Sequence, residues 1–225
     1  MLWEILNMMR LKVSVFALLI VTVGCQSAYY GAMEQIGIPK REILVDRVEA
    51  ARDDQEEAKE QFQTALQQFK AVTGFKGGEL ENAYDTLNAS YERSKAKADD
   101  VHSSIGKVDN VAQNLFKEWE AELEQYTNED LRRESARKLT QTRDRYAELI
   151  TAMKRVESRI APVLNTFHDQ VLFIKHNLNA QAIASLQGQV KGIQTDVDAL
   201  IKEMETSIAE ANKFIGEMNK PDTSS

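Results

Sequence analysis

A single cysteine, Cys25, occurs among 225 residues, so no disulfide framework within the chain can substitute for a packed core. Prolines number three and glycines ten, which leaves long stretches free of helix breakers. With 28% charged and 43% hydrophobic residues, the composition is that of long helices and coiled coils. Positive charge is in deficit. Without residues 1–24, which hold Arg10, Lys12 and Glu4, the net charge is −8. Such a surface repels phosphate, which argues against nucleic acid and anionic lipid heads as general partners. The local run Arg132, Arg133, Arg137, Lys138 reads as a solvated helix face.

Catalytic and metal-binding patterns are also missing. The histidines His102, His168 and His176 lack the i, i+3 or i, i+4 spacing that would put two ligands on one helix face. A di-iron bundle needs two Glu-x-x-His motifs, and Asp99-x-x-His102 is a single near miss. Neither Gly74-Phe75-Lys76-Gly77-Gly78 nor Gly106-Lys107 has the spacing of a phosphate-cradling loop. No Gly-x-Ser-x-Gly elbow is present. The acid clusters at Asp53, Asp54, Glu56, Glu57 and at Glu118, Glu120, Glu122, Glu124 have no apolar pocket to raise a carboxylate pKa. The sequence therefore predicts no catalytic residue, no cofactor and no metal site.

What the chain does have begins with an export signal. Arg10 and Lys12 precede an apolar run from Val13 to Val23, too short to span a bilayer comfortably and suited to a cleaved signal. Glu4 and the apolar bulk before it are foreign to such signals, so translation is expected to start at Met8 or Met9 rather than Met1. Thr22-Val23-Gly24-Cys25 resembles the lipobox of bacterial lipoproteins, departing from it at Thr22, where an aliphatic residue is usual. The resemblance implies cleavage between Gly24 and Cys25, acyl chains on Cys25, and, with Gln26 in place of Asp, the periplasmic face of the outer membrane. Several acyl chains anchor firmly where one binds only marginally.

Residues 25–38 read as a lipidated tether, and Pro39 suits a first helical position. Four helices follow, at about 39–73, 79–126, 129–177 and 180–218, with a polar tail at 220–225. The first carries Leu44, Val48, Ala51, Ala58, Phe62, Ala65, Phe69 and Val72 at heptad spacing, interrupted by Gln55. The second runs unbroken from Leu80 through Leu87, Ser94, Ala98, Val101, Ile105, Val108, Ala112 and Leu115 to Trp119. The third has Leu139, Tyr146, Leu149, Met153, Val156, Ile160, Val163, Phe167 and Ile174. The fourth has Ile183, Leu186, Val190, Ile193, Val197, Leu200, Met204, Ala211, Phe214 and Met218. Three glycines in Gly74–Gly78 mark one turn, and Thr127-Asn128-Glu129-Asp130 marks a stop and a fresh N-cap.

A fold-back there sets Leu115 across from Leu139, Val108 from Tyr146, Val101 from Met153 and Leu87 from Phe167, all centred on Thr127. Ala98 and Ser94 leave room opposite Val156 and Ile160 for a kink at Pro162. Asn179 offers a second fold-back; a continuous helix from 129 to 218 in an extended dimer is the alternative. The expected architecture is all-α, an elongated antiparallel bundle or coiled coil of about four long helices. The stripe aromatics are core at this spacing; a ligand cavity is the competing reading.

Tyr29-Tyr30-Gly31-Ala32-Met33-Glu34 and Lys40 through Glu49 resemble the opening of a family of Gram-negative bacteria, domain of unknown function two-nine-five-nine. Asn128-x-x-Leu131-Arg132-Arg133 is compatible with its later helices. The resemblance brings no established activity, ligand or catalytic residue. The functional expectation is a lipid-anchored structural or interaction protein, a scaffold or adaptor, partnered by an envelope protein or by itself. The alternatives are a membrane-shaping coiled coil and a small-ligand carrier.

Overall fold

The computed structural model describes residues 40–73, 80–177 and 180–220. The signal, Gly24 and Cys25, the tether, Pro39, the glycine turn, Asn179 and the tail after Lys220 lie outside the described residues. The helices are α1 (Lys40–Thr73), α2 (Leu80–Leu123), α3 (Glu129–His176), α4 (Ala180–Gln187) and α5 (Val190–Met218). No strand occurs among the described residues. The chain divides into two units, Met1–Ile43 and Leu44–Ser225, and the second holds the bundle.

Heptad-spaced apolar residues drive that assembly. Leu44, Val48, Ala51, Ala58, Phe62 and Phe69 of α1 have no solvent contact, nor do Val101 and Val108 of α2. Met153 and Val156 of α3 and Val197, Leu200, Met204 and Ala211 of α5 are sealed to the same degree. Burying a side chain the size of leucine or phenylalanine contributes about 1.5–3 kcal/mol. Polar pairs on the rims show the order of the helices. Lys97 to Glu57 joins α2 to α1, Tyr146 to Asp109 joins α3 to α2, Arg159 to Glu203 joins α5 to α3, and Arg52 to Asn212 closes α1 on α5. Each helix runs antiparallel to the next around this ring, the up-down-up-down bundle.

The expected turn at Asn128 is present. Its backbone is extended, at φ −95° and ψ 112°, and its side chain accepts from the Asp130 and Leu131 amides at 2.9 and 3.2 Å. Two of the four orphan donors of α3 are thereby satisfied. α3 then stays helical through Pro162 and stops at Asn177, so the continuous helix from 129 to 218 does not form.

The fourth expected helix departs from expectation: it is two. α4 ends at Gln187, and Gly188 and Gln189 make a turn in which the Gln189 amide donates to the Leu186 carbonyl at 2.9 Å. Glycine is the weakest ordinary helix former, and the tighter bond ends the α-helical ladder. The Gln187 side chain meanwhile donates to the Thr73 carbonyl at 2.8 Å, near the end of α1 where carbonyls lack helical partners.

Among the buried polar residues, Gln55 and Ser207 sit at heptad core positions with a side-chain atom left unpartnered. Gln55, where the α1 stripe is interrupted, is fully buried; its amide nitrogen donates to the Ala51 carbonyl at 3.1 Å, and its Oε1 has no protein partner. Ser207, equally buried and unpartnered at Oγ, holds the heptad position between Met204 and Ala211 that the sequence reading left empty. The Arg52–Asn212 contact sets an antiparallel register that brings Gln55 and Ser207 within about one helical turn of the same level. A buried acceptor without a donor costs about 1–3 kcal/mol. Gln55→Leu is accordingly expected to raise stability by about 1–2 kcal/mol, seen as a higher midpoint in thermal unfolding followed by circular dichroism. A lowered midpoint would show that the amide is better satisfied than its contacts indicate.

Candidate functional site

The seam between α2 and α3 carries a cluster of polar and aromatic side chains. Asp109, Gln113, Phe116 and Glu120 recur at three- and four-residue steps along one edge of α2. Arg143, Tyr146 and Lys154 occupy the facing edge of α3. The buried Tyr146 donates its hydroxyl to Asp109 Oδ1 at 2.6 Å, and Lys154 Nζ donates to Oδ2 at 3.0 Å. Gln113 Nε2 adds a longer contact to Oδ1 at 3.4 Å. The Phe116 ring meets the Tyr146 ring edge-on, centroids 5.4 Å apart. Arg143 lies 5.3 Å above Phe116 and donates to Glu120 at 2.6 Å and to the Phe116 carbonyl at 3.4 Å.

These contacts polarise the two groups in opposite senses. The Tyr146 hydroxyl beside Asp109 holds that carboxyl below its ordinary range, against an opposing effect of burial, with Lys154 and Gln113 adding to the lowering. Burial, followed by the hydrogen bond to Asp109, pushes the Tyr146 phenol above its usual value. Asp109 thus stays ionised and Tyr146 stays neutral around neutral pH. A general acid or base works best with a pKa near the operating pH, so the arrangement suits a fixed hydrogen bond better than proton transfer.

Other contacts continue the seam. Trp119 donates to Ser135 Oγ at 2.8 Å, and His102 bonds to Glu157. Tyr91 stacks on His168 with centroids 5.0 Å apart. Trp119–Ser135 keeps the register centred on Thr127, whereas His102–Glu157 and Tyr91–His168 are centred two to three residues further along the chain. Asp109 and its neighbours were not among the residues singled out by motif; the signal was Tyr146, a hydroxyl at a core position, set across from the Val108–Asp109 edge.

His102 and His168 sit apart on α2 and α3, and Asp99 pairs with Lys95 rather than with His102. Among the described residues no group of three or more His, Cys, Asp or Glu side chains gathers to hold a metal. Arg132, Arg133 and Arg137 each pair with an acid one turn earlier, Glu129, Asp130 and Glu134, on an exposed face. Phe62 and Phe167 stack at 6.5 Å inside the core. The cavity beside them, lined by Phe69, Leu87, Ser90, Tyr91, Phe167 and Gln170 among others, measures about 10 Å³ and has room for a water molecule, not an organic ligand. No described helix is long and apolar enough to cross a membrane.

Because Asp109 is lowered, its contribution to stability is present above the ordinary carboxylate range and is lost as pH falls through its folded value. Because Tyr146 is raised, its contribution is complete below about pH 10 and is lost as pH climbs beyond. Tyr146→Phe is expected to cost about 1.5–3 kcal/mol at neutral pH in urea unfolding, since a hydrogen bond to a charged group is removed. The loss should shrink in strong acid, where Asp109 is protonated; an equal loss at every pH would show that the hydroxyl does not act through that charge.

No curated protein and no solved structure matches the chain. The family model described as "Protein of unknown function (DUF2959)" matches residues 29–218, a span that includes all of α1 to α5, and the chain belongs to that family.

Proposed function

We propose that the protein is a lipid-anchored scaffold or adaptor on the periplasmic face of the outer membrane, binding an envelope protein or a second copy of itself. The observation that carries the interaction role is the end of the α2–α3 hairpin. From Lys117 to Lys138 no residue is buried, although both helices are continuous there up to the turn. α5 meets α3 only from about Arg145, which pairs with Glu217 close to the end of α5. The first four turns of α3, about 24 Å, therefore have no counterpart on α5. Tyr126 and Leu131 are 39% and 57% exposed at this tip. Apolar side chains at the end of a coreless hairpin, rimmed by charge, suit contact with another protein.

Anchoring rests on the lipobox-like Thr22–Cys25 segment behind an apolar run. The asymmetry of the hairpin supports an adaptor over a membrane-shaping module: its α2 side is acidic at Glu118, Glu120, Glu122 and Glu124, where an anionic bilayer would need basic residues.

Two outcomes are expected. A photo-crosslinking residue at Tyr126 captures a protein in intact cells, and Leu131→Glu removes the adduct; no adduct from the wild-type tip would overturn the interaction role. Cys25→Ser loses labelling by radioactive palmitate and leaves the membrane fraction; retention of both label and membrane association would sink the anchoring assignment.

A further inference from the structure

Ser90 of α2 is 2% exposed, and its hydroxyl has no protein partner. The other two buried serines of α2 differ from it. Ser94, one turn on, donates to the Ser90 carbonyl at 2.9 Å and accepts from the Gln61 amide at 3.3 Å. Ser104 donates to the Val101 carbonyl at 3.1 Å. A serine inside a helix commonly turns its hydroxyl back on a carbonyl of the preceding turn. Ser90 makes no such bond.

What Ser90 lines instead is the small cavity between α1, α2 and α3, about 10 Å³ in volume. Ala65 and Ser90 are the smallest side chains of its wall, and the rigid rings of Phe69 and Phe167 cannot bend to fill the space they leave. The rest of the wall is mostly hydrocarbon, and its polar side chains are Ser90, Tyr91 and Gln170. Tyr91 is engaged in its stack on His168. Gln170 is half-buried, and its carboxamide, which can both donate and accept, has no hydrogen bond among the described residues. A buried hydroxyl and a carboxamide, one from α2 and one from α3, thus share one cavity of molecular size.

We propose that this cavity is a water site, holding one ordered molecule hydrogen-bonded to the Ser90 hydroxyl and the Gln170 carboxamide. Its volume is that of about one probe sphere, the least that admits a water, and a buried water is held by two to four polar groups. Cavities with purely apolar walls stay dry, whereas a hydroxyl left unpaired in one costs its full desolvation. The water offsets that cost and lets three helices close on a layer that their side chains do not fill. The site is independent of the lipid anchor and of the hairpin tip.

Two readouts on the full chain test the site. Oxygen-17 relaxation dispersion of the solvent counts waters held longer than the protein takes to tumble, and Ser90→Ala is expected to remove one from that count. Thermal unfolding followed by circular dichroism should show a midpoint lower by about 2–4 °C in Ser90→Ala, the shift that one weakened hydrogen bond produces in a chain of this size. Gln170→Ala should lower it as well, and the double variant should lose less than the two single losses added, because both side chains act through one molecule. A hydroxyl unpaired in a dry cavity gives the opposite sign, since alanine then removes a buried group that had no partner. A raised or unchanged midpoint in Ser90→Ala, an unchanged water count, or strictly additive losses would each overturn the proposal.

Discussion

The seam between α2 and α3 is the constraint on which the bundle depends. Two long helices are set in register at one end by the Asn128 cap and along their length by Trp119–Ser135, Tyr146–Asp109 and Tyr91–His168. Once that register is set, every heptad residue of α3 has a defined level. α5 can then align on α3 through Arg145–Glu217, Lys213–Glu148 and Arg159–Glu203, and α1 closes the ring. The exposed ion pairs contribute little energy singly, roughly 0–1 kcal/mol each, so their role is to discriminate among registers that the apolar stripes alone would tolerate. Energy comes from the buried stripes and alignment from the polar rims.

Most of this architecture was legible because a heptad repeat is redundant. Leu44 to Val72 and Leu87 to Leu115 repeat the same instruction many times, so a single substitution such as Gln55 does not obscure the helix. The Asn128 cap was legible for a different reason: an Asn followed by two acids offers an acceptor to free amides and charge to the helix dipole. The break after Gln187 was not. One glycine inside an apolar pattern leaves helix intact in many contexts, and what decides the outcome here includes a tertiary bond, Gln187 to the Thr73 carbonyl, that links residues far apart in sequence. Ser207 escaped notice because a small polar residue at a heptad position carries no apolar signal.

The polar features were less legible than the core for the same physical reason. Tyr146 scores as an apolar stripe residue, and only its hydrogen bond to Asp109 makes it the centre of a network. Family membership adds scope without chemistry: the match extends from Tyr29 to Met218, so the whole bundle, and not a fragment of it, is the unit to which a function belongs.

The coreless stretch from Lys117 to Lys138 has a mechanical consequence. It is a cantilever clamped at Leu115, Phe116 and Leu139, where burial resumes. Segments with few buried contacts open at lower free energy than the core they extend, so compliance rises toward the free end. A pull delivered at Leu131 would load the Trp119–Ser135 bond first and the Arg143–Glu120 pair next, before any strain reached the closed ring of helices.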